Sequence, residues 1–231
     1  MLNVNYSVLR DYWACPRLSS YRLSPQLRLA RPPARAHRGS EIHAALHRAF
    51  EGLPTHLSET ETELWGAYQQ VISPHERTAR ASWSEWECLV PLSEMVLLTG
   101  RLDRVYLQDQ AMHLLDWKTG QWQPQYTEST QLQLRFYSWM LWLAREQIVT
   151  DGALTKVVAS AHFLEDAHIE TFTLDSQNAE EEDLFFRELI QNYRRHTETR
   201  AGIPAPRSTS EGVWCTMCEY QPLCPEGRYH A

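Results

Sequence analysis

The sequence predicts an α/β protein in which a mixed central β-sheet is covered on both faces by helices. Three observations predict it. Three strand-like runs follow one another at 83–91, 97–107 and 112–119. A strongly apolar helical stretch, 130–145, comes directly after them. Two further strand-like runs and an amphipathic helix complete the order, which is the alternation a sheet with helices on either side requires. No run passes through a Gly-rich turn into a helix, so neither a dinucleotide site nor a P-loop is offered.

The elements follow in order. Residues 6–13 form a short helix, with Ser7 as its expected cap, that runs into Cys15-Pro16. The stretch after it, through Arg31-Pro32-Pro33, reads as irregular or partly helical. Residues 39–52 are a helix capped by Ser40, with Ile42, Leu46, Ala49 and Phe50 at helical spacing. Ser58-Glu59-Thr60-Glu61 is a capping box opening a second helix toward Ile72, which Ser73-Pro74 ends. In 83–91, Trp86, Cys88 and Val90 alternate with Glu85, Glu87 and Leu89, a strand with one buried face. The polar turn Gln108-Asp109-Gln110 separates the two central runs. The helix 130–145 is apolar over most of its surface and belongs in the core. Strands at 156–164 and 168–174 flank a turn at 165–167. A last helix spans 180–197, its Glu180-Glu181-Glu182-Asp183 start reading as solvated. A linker-like loop, 204–212, leads to a Cys-rich tail.

With 231 residues and 43% hydrophobic content, the chain can bury one sizeable core. No apolar run nears the roughly 18 residues that span a bilayer, and the start shows no signal-peptide pattern, so a cytoplasmic protein without membrane contact is expected. The net charge of -7 speaks against a nucleic-acid coating protein but not against a nuclease, whose acidic site is offset by metal. Seven arginines lie between Arg10 and Arg38 against the single acid Asp11, a segment suited to phosphate contact or to a solvated surface. Five cysteines, an odd number, disfavour a disulfide framework.

Chemistry concentrates in the central runs. Asp103 and Asp116 each stand where a core residue belongs, and Lys118 shares a strand face with Asp116, about 7 Å away. If the runs pair as a hairpin, Asp103 lies beside Asp116. Such groups are costly among Leu, Val and Trp unless paired or metal-bound. They read either as a divalent-metal site that activates water or as a structural ion pair on a half-exposed strand. Gln133 and Tyr137, four apart on the apolar helix, share one face and need polar partners. His43 sits on the first long helix, where a lone histidine is more often a satisfied core or surface residue than a ligand.

The series Gly39…His43, Gly100-x-x-Asp103, Asp116-Trp117-Lys118 and Gln133-x-x-x-Tyr137 resembles the RecB-type branch of the PD-(D/E)XK nuclease superfamily, in its order and at compatible spacing. The flanks Tyr6-Ser7-Val8-Leu9…Cys15-Pro16-Arg17 and Cys215-x2-Cys218-x5-Cys224 resemble its iron–sulfur members, including CRISPR-adaptation nucleases of the Cas-four type. The resemblance covers nearly the whole chain. It implies a restriction-endonuclease-like core over 39–200, with 1–38 and 201–231 joined into an iron–sulfur subdomain of a single nuclease domain. Asp103 and Asp116 would hold Mg2+ or Mn2+, with His43 and the Trp117 carbonyl as further ligands. Lys118 would orient the attacking water, and Gln133 and Tyr137 would position the strand. The implied activity is an exonuclease on single-stranded DNA or DNA ends, in repair, recombination or CRISPR adaptation, beside a helicase or CRISPR integrase. A non-catalytic DNA-binding or docking module for the same partners is the alternative. Asp116 stands where many relatives carry Glu. Cys15, Cys215, Cys218 and Cys224 suit zinc or an iron–sulfur cluster by donor type, and the resemblance favours a 4Fe–4S cluster. Cys88, on a strand's apolar face, reads as core packing.

Overall fold

A computed structural model describes residues 1–24, 27, 33–53, 59, 62–63, 65–66, 69, 78–150, 154–199, 215 and 218–224. Contacts divide the chain into two compact units: Met1–Asn3 with Pro32–Asp183, and Val4–Arg31 with Leu184–Ala231.

The first unit is built on the sheet. Its strands are β1 (Leu2–Val4, whose last residue belongs to the second unit), β2 (Ala81–Ser93), β3 (Val96–Gln108), β4 (Ala111–Lys118), β5 (Lys156–Phe163) and β6 (His168–Asp175). The order is β1-β3-β4-β5-β6, with β2 also paired to β3. β2, β3 and β4 are mutually antiparallel, β4 and β5 are parallel, and β5 and β6 are antiparallel. The mixed sheet expected from the sequence is therefore present. The parallel pair β4 and β5 is joined through a helix, as parallel neighbours require. β1 was not foreseen, because three residues carry no periodicity to read.

Helix α3 (Pro33–Phe50) packs on one face of the sheet, where Ile42 and Leu46 bury against Tyr106, Leu115 and Trp117. It starts six residues before the expected 39 and has no cap at Ser40. Proline is favoured at a first helical position, and Ala and Arg continue the helix readily. The opposite face carries α4 (Thr127–Ile148), which packs on β5 and β6 and buries Leu132, Leu134, Phe136, Trp139 and Met140. The helix α5 (Ala179–Thr199) begins in this unit. Its acidic start is solvated only in part: Glu180 and Glu181 are exposed, whereas Glu182 is buried and takes Arg135 Nε at 3.0 Å, and Asp183 accepts the Trp139 indole N–H at 3.0 Å. The polar tips of α4 supply the reason, since the half-buried Arg135 guanidinium and the buried Trp139 indole need acceptors. The helix anticipated from Ser58 toward Ile72 and the loop at 204–212 lie largely or wholly outside the described residues.

The second unit joins the two ends of the chain. Helices α1 (Tyr6–Ala14) and α2 (Pro16–Leu23) meet the C-terminal part of α5 and the tail. α1 is capped by Asn5, which accepts from Val8 N, in place of the expected Ser7. α2 realises the partly helical alternative expected after Cys15, because Pro16 at its first turn fits the helix and Cys15 has extended cap geometry. Tyr12 meets Tyr193, Tyr21 meets Tyr220, Ser20 bonds His196, and Arg22 bridges Asp11 and Glu219. Arg10 also pairs with Asp11 and Arg17 is buried, so three of the seven arginines serve the unit's interior. The side chains of the other four lie outside the described residues. Among the described residues, no helix is long and apolar enough to cross a membrane.

Candidate metal centre

Strand register brings the carboxylates together. Arg104 pairs with Leu115, so the next slot sets Asp103 opposite Asp116. On the other side of β3, the pairs Ser84–Arg104 and Trp86–Leu102 bracket Glu85 opposite Asp103. Three acids thus occupy one row across three strands. Like charges directly opposite destabilise a sheet, so this row calls for a cation.

His43 approaches the row from α3. Its Nε2 lies 3.0 Å from the Trp117 carbonyl, which only accepts, so Nε2 is the donor there. Nδ1 then faces two carboxylates, Asp103 Oδ1 at 3.2 Å and Glu85 Oε1 at 3.8 Å. Burial disfavours the charged imidazole, but the hydrogen bond and charge of Asp103, with Asp116 and Glu85 behind it, outweigh burial and raise the His43 pKa. Burial raises the Asp103 pKa, and the charge of Asp116 adds to it, against the lowering pull of His43 and the Trp117 N–H. That N–H donates to Asp103 Oδ2 at 2.7 Å and fixes the carboxylate's orientation.

Asp116, Lys118 and Gln133 form a closed triangle. Lys118 Nζ lies 2.7 Å from Asp116 Oδ2 and donates to Gln133 Oε1 at 2.6 Å, while Gln133 Nε2 donates to Asp116 Oδ1 at 2.8 Å. The lysine reaches Asp116 Oδ2 as a charge but without hydrogen-bond alignment, which leaves that buried oxygen with no aligned donor. Tyr137 stands over Gly100: a Cβ there would lie 3.1 Å from the ring's Cε1 and 3.4 Å from Met140 Cε. Gly100 is thus a close approach of helix to sheet, whereas Gly39 would admit a Cβ at ordinary contact distance. The alternation of β4 sends Trp117 to the other face, into the cluster beneath α3.

These residues fit a divalent cation. His43, Glu85 and Asp103 offer ligand atoms that all lie within 4.8 Å of one another. Asp116 adds a buried carboxylate beside them in the row, with Lys118 Nζ 2.7 Å from its Oδ2. One imidazole nitrogen among carboxylate oxygens suits Mn2+ and accepts Mg2+. Sequence reading missed Glu85, because alternation with Trp86, Cys88 and Val90 assigned it to the strand's outer face. Its backbone has φ 50°, which overrides simple alternation. The signal available was an acid placed to fall opposite Asp103.

The cysteines lie in the second unit. Arg17 Nη1 donates to Cys224 Sγ at 3.6 Å. Burial raises the Cys218 pKa, and the neighbouring Cys15, Cys215 and Cys224 thiols raise it further. Among the described residues, no three cysteine sulfurs close to within 4.8 Å. Cys88 is buried on β2, and burial pushes its thiol up to about 11.

The sequence matches the PD-(D/E)XK nuclease superfamily over residues 3–225. The chain belongs to that superfamily. Among solved structures, this PD-(D/E)XK chain is similar to a candidate exonuclease from Eubacterium rectale, with TM-score 0.56, 10% identity and 98% and 87% of the two chains covered. It is also similar to the protein SSO0001, with TM-score 0.50, 14% identity and 97% and 86% covered. At such identities the likeness is one of fold. Among curated proteins, none matches the chain.

Proposed function

We propose that the protein is a metal-dependent deoxyribonuclease, an exonuclease acting on single-stranded DNA or DNA ends. The observation that carries this reading is the triangle of Asp116, Lys118 and Gln133 set beside Asp103 and His43. A bound Mg2+ or Mn2+ would supply Lewis acidity toward the scissile phosphate and a lowered pKa for the attacking water. His43, Asp103, Asp116 and the Trp117 carbonyl would hold it. Lys118, already aimed by Gln133 and Asp116, orients the water and offers positive charge to the phosphate as negative charge builds there. Hydrolysis adds water oxygen to phosphorus, breaks the P–O3′ bond and leaves a 3′-hydroxyl and a 5′-phosphate. Gln133 and Tyr137 line the strand's path from α4. The superfamily and the Eubacterium rectale neighbour support nuclease and exonuclease action respectively. An intact Asp103, Asp116 and Lys118 set argues against a purely docking role.

The reading extends to the cysteines. Cys15, Cys215, Cys218 and Cys224 would bind a 4Fe–4S cluster that ties the chain ends within the second unit. A zinc site draws its thiolates to about 3.8 Å apart, given Zn–S bonds of about 2.3 Å. Neighbouring thiols help raise the Cys218 pKa, and the choice of the larger cluster over zinc rests on the family resemblance. Helicase or CRISPR integrase partners are those the resemblance implies.

The test is cleavage of end-labelled single- and double-stranded DNA with Mg2+ or Mn2+. Wild-type protein is expected to cleave, and Lys118→Ala to lose roughly 10²–10³-fold. Wild type inert on both DNAs with both metals, or Lys118→Ala as active as wild type, overturns the assignment.

A further inference from the structure

Glu85 is the one carboxylate of the row that the DNA-cleaving reading does not use. We propose that Glu85 is a further protein ligand of the divalent-metal centre, with Arg101 competing with the metal for its carboxylate. This rests on the reading of the site given above.

Four observations carry it. Glu85 occupies the slot opposite Asp103, so the two acids are cross-strand neighbours. Its Oε1 faces the same His43 Nδ1 as Asp103 does, and the three ligand atoms are close enough for one ion to touch all of them. Its Oε2 is held by Arg101 Nε at 2.6 Å, from a side chain 68% exposed. Asp116, itself 7% exposed, adds a third carboxylate in the next position along the row, its Oδ2 2.7 Å from Lys118 Nζ and its Oδ1 accepting from Gln133 Nε2.

An exposed guanidinium is a poor reason to keep a carboxylate against Asp103 and away from water, since exposed ion pairs contribute little. A divalent ion between Glu85, Asp103 and His43 removes the like-charge repulsion of the pair and uses the lone-pair side of the imidazole. Arg101 holds one oxygen of Glu85, so it and the ion draw on the same negative charge. The consequence is two substitutions with opposite effects. Glu85→Gln keeps size and backbone but removes the charge, so it weakens the metal. Arg101→Gln removes the competitor, so it tightens the metal.

The experiment is calorimetric titration of Mn2+ into chelator-stripped full-length protein, with the Mn2+ paramagnetic resonance signal as a second readout of free ion. Glu85→Gln is expected to lower Mn2+ affinity by tenfold or more. Arg101→Gln is expected to raise it by threefold or more. Asp103→Asn, in the same series, is expected to lose binding altogether. The proposal requires both signs. Glu85→Gln binding within twofold of wild type, or Arg101→Gln binding no tighter than wild type, overturns the role of Glu85 and leaves the Asp103 site standing if Asp103→Asn still loses binding. Wild type that does not bind Mn2+, or Asp103→Asn that binds like wild type, overturns the metal centre itself and Glu85 with it. Should Glu85→Gln not fold, the sign of the Arg101→Gln effect decides alone.

Discussion

Asp116 stands both in the acidic row and in the triangle below α4, its Oδ1 accepting from Gln133 Nε2 and its Oδ2 2.7 Å from Lys118 Nζ. Asp116→Asn keeps the side chain's volume but removes its charge and turns one of its two acceptors into a donor. Cleavage is expected to fall by roughly 10³-fold, since both metal binding and the aim of Lys118 depend on that charge. Melting in EDTA is expected to stay level or rise, because the repulsion with Asp103 is relieved. Parallel cleavage and melting curves check both halves, and retained activity would remove Asp116 from the site. Most of this site was legible residue by residue. Asp103, Asp116 and Lys118 stood out as charges in apolar strands, and Gln133 as an amide in an apolar helix. Glu85 was not legible, because the only rule available for a strand is alternation. A positive φ at a non-glycine residue does not show in the sequence.

Elements were legible where periodicity was long and illegible where one or two residues decided. The strands at β2 to β6 and the helix α4 follow from patterns of seven residues or more. The start of α3, the caps of α1 and the strand β1 turn on single positions. Gly100 is such a position with a consequence for function. Alanine there meets Tyr137 Cε1 at 3.1 Å, and the ring must shift by a few tenths of an ångström. The shift is affordable to the core, because the gain in strand rigidity over glycine offsets a small steric cost. Gly100→Ala is therefore expected to move Tm by no more than a few degrees while lowering DNA cleavage, a split that a purely structural glycine would not show. A second element-level expectation concerns β5. His162, opposite Trp117 in register, is held by burial at a pKa of about 4, against a partial upward pull from Asp116. The unfolded chain takes up that proton first as pH falls below about 6.5. Stability from this group is whole above that pH and is lost between about 6.5 and 4, by up to roughly 3 kcal/mol. Urea unfolding in EDTA from pH 7 to pH 4 should show a flatter pH dependence for His162→Gln than for wild type. Equal slopes would mean that the imidazole titrates normally.

At the scale of the molecule, the chain's ends are the least expected part of the architecture and carry the last prediction. Periodicity assigns helices to residues near both termini but says nothing of their meeting. Only the cysteine spacing, with a lone Cys15 set against three thiols at the other end, pointed to a link. In the structure, segments about 200 residues apart in sequence share the second unit through Arg17 with Cys224, Arg22 with Glu219, and Tyr21 with Tyr220. Closing so long a loop is costly in chain entropy, so a metal clip there stabilises more than one across a short loop. A 4Fe–4S cluster on Cys15, Cys215, Cys218 and Cys224 would be that clip. Cys15→Ser should then lose iron and brown colour in anaerobically purified protein. Limited proteolysis should find both segments of the second unit cut sooner, by the same variant. Cys88→Ser serves as the internal control. Its thiol is buried on β2, in the other unit, and burial holds it protonated near a pKa of about 11, so iron content and digestion should match wild type. Full iron retention without Cys15 would mean that the N-terminal thiol is not a ligand. Equal iron loss in both variants would mean that the wrong four sulfurs had been chosen, and zinc in place of iron would replace the cluster while leaving the clip.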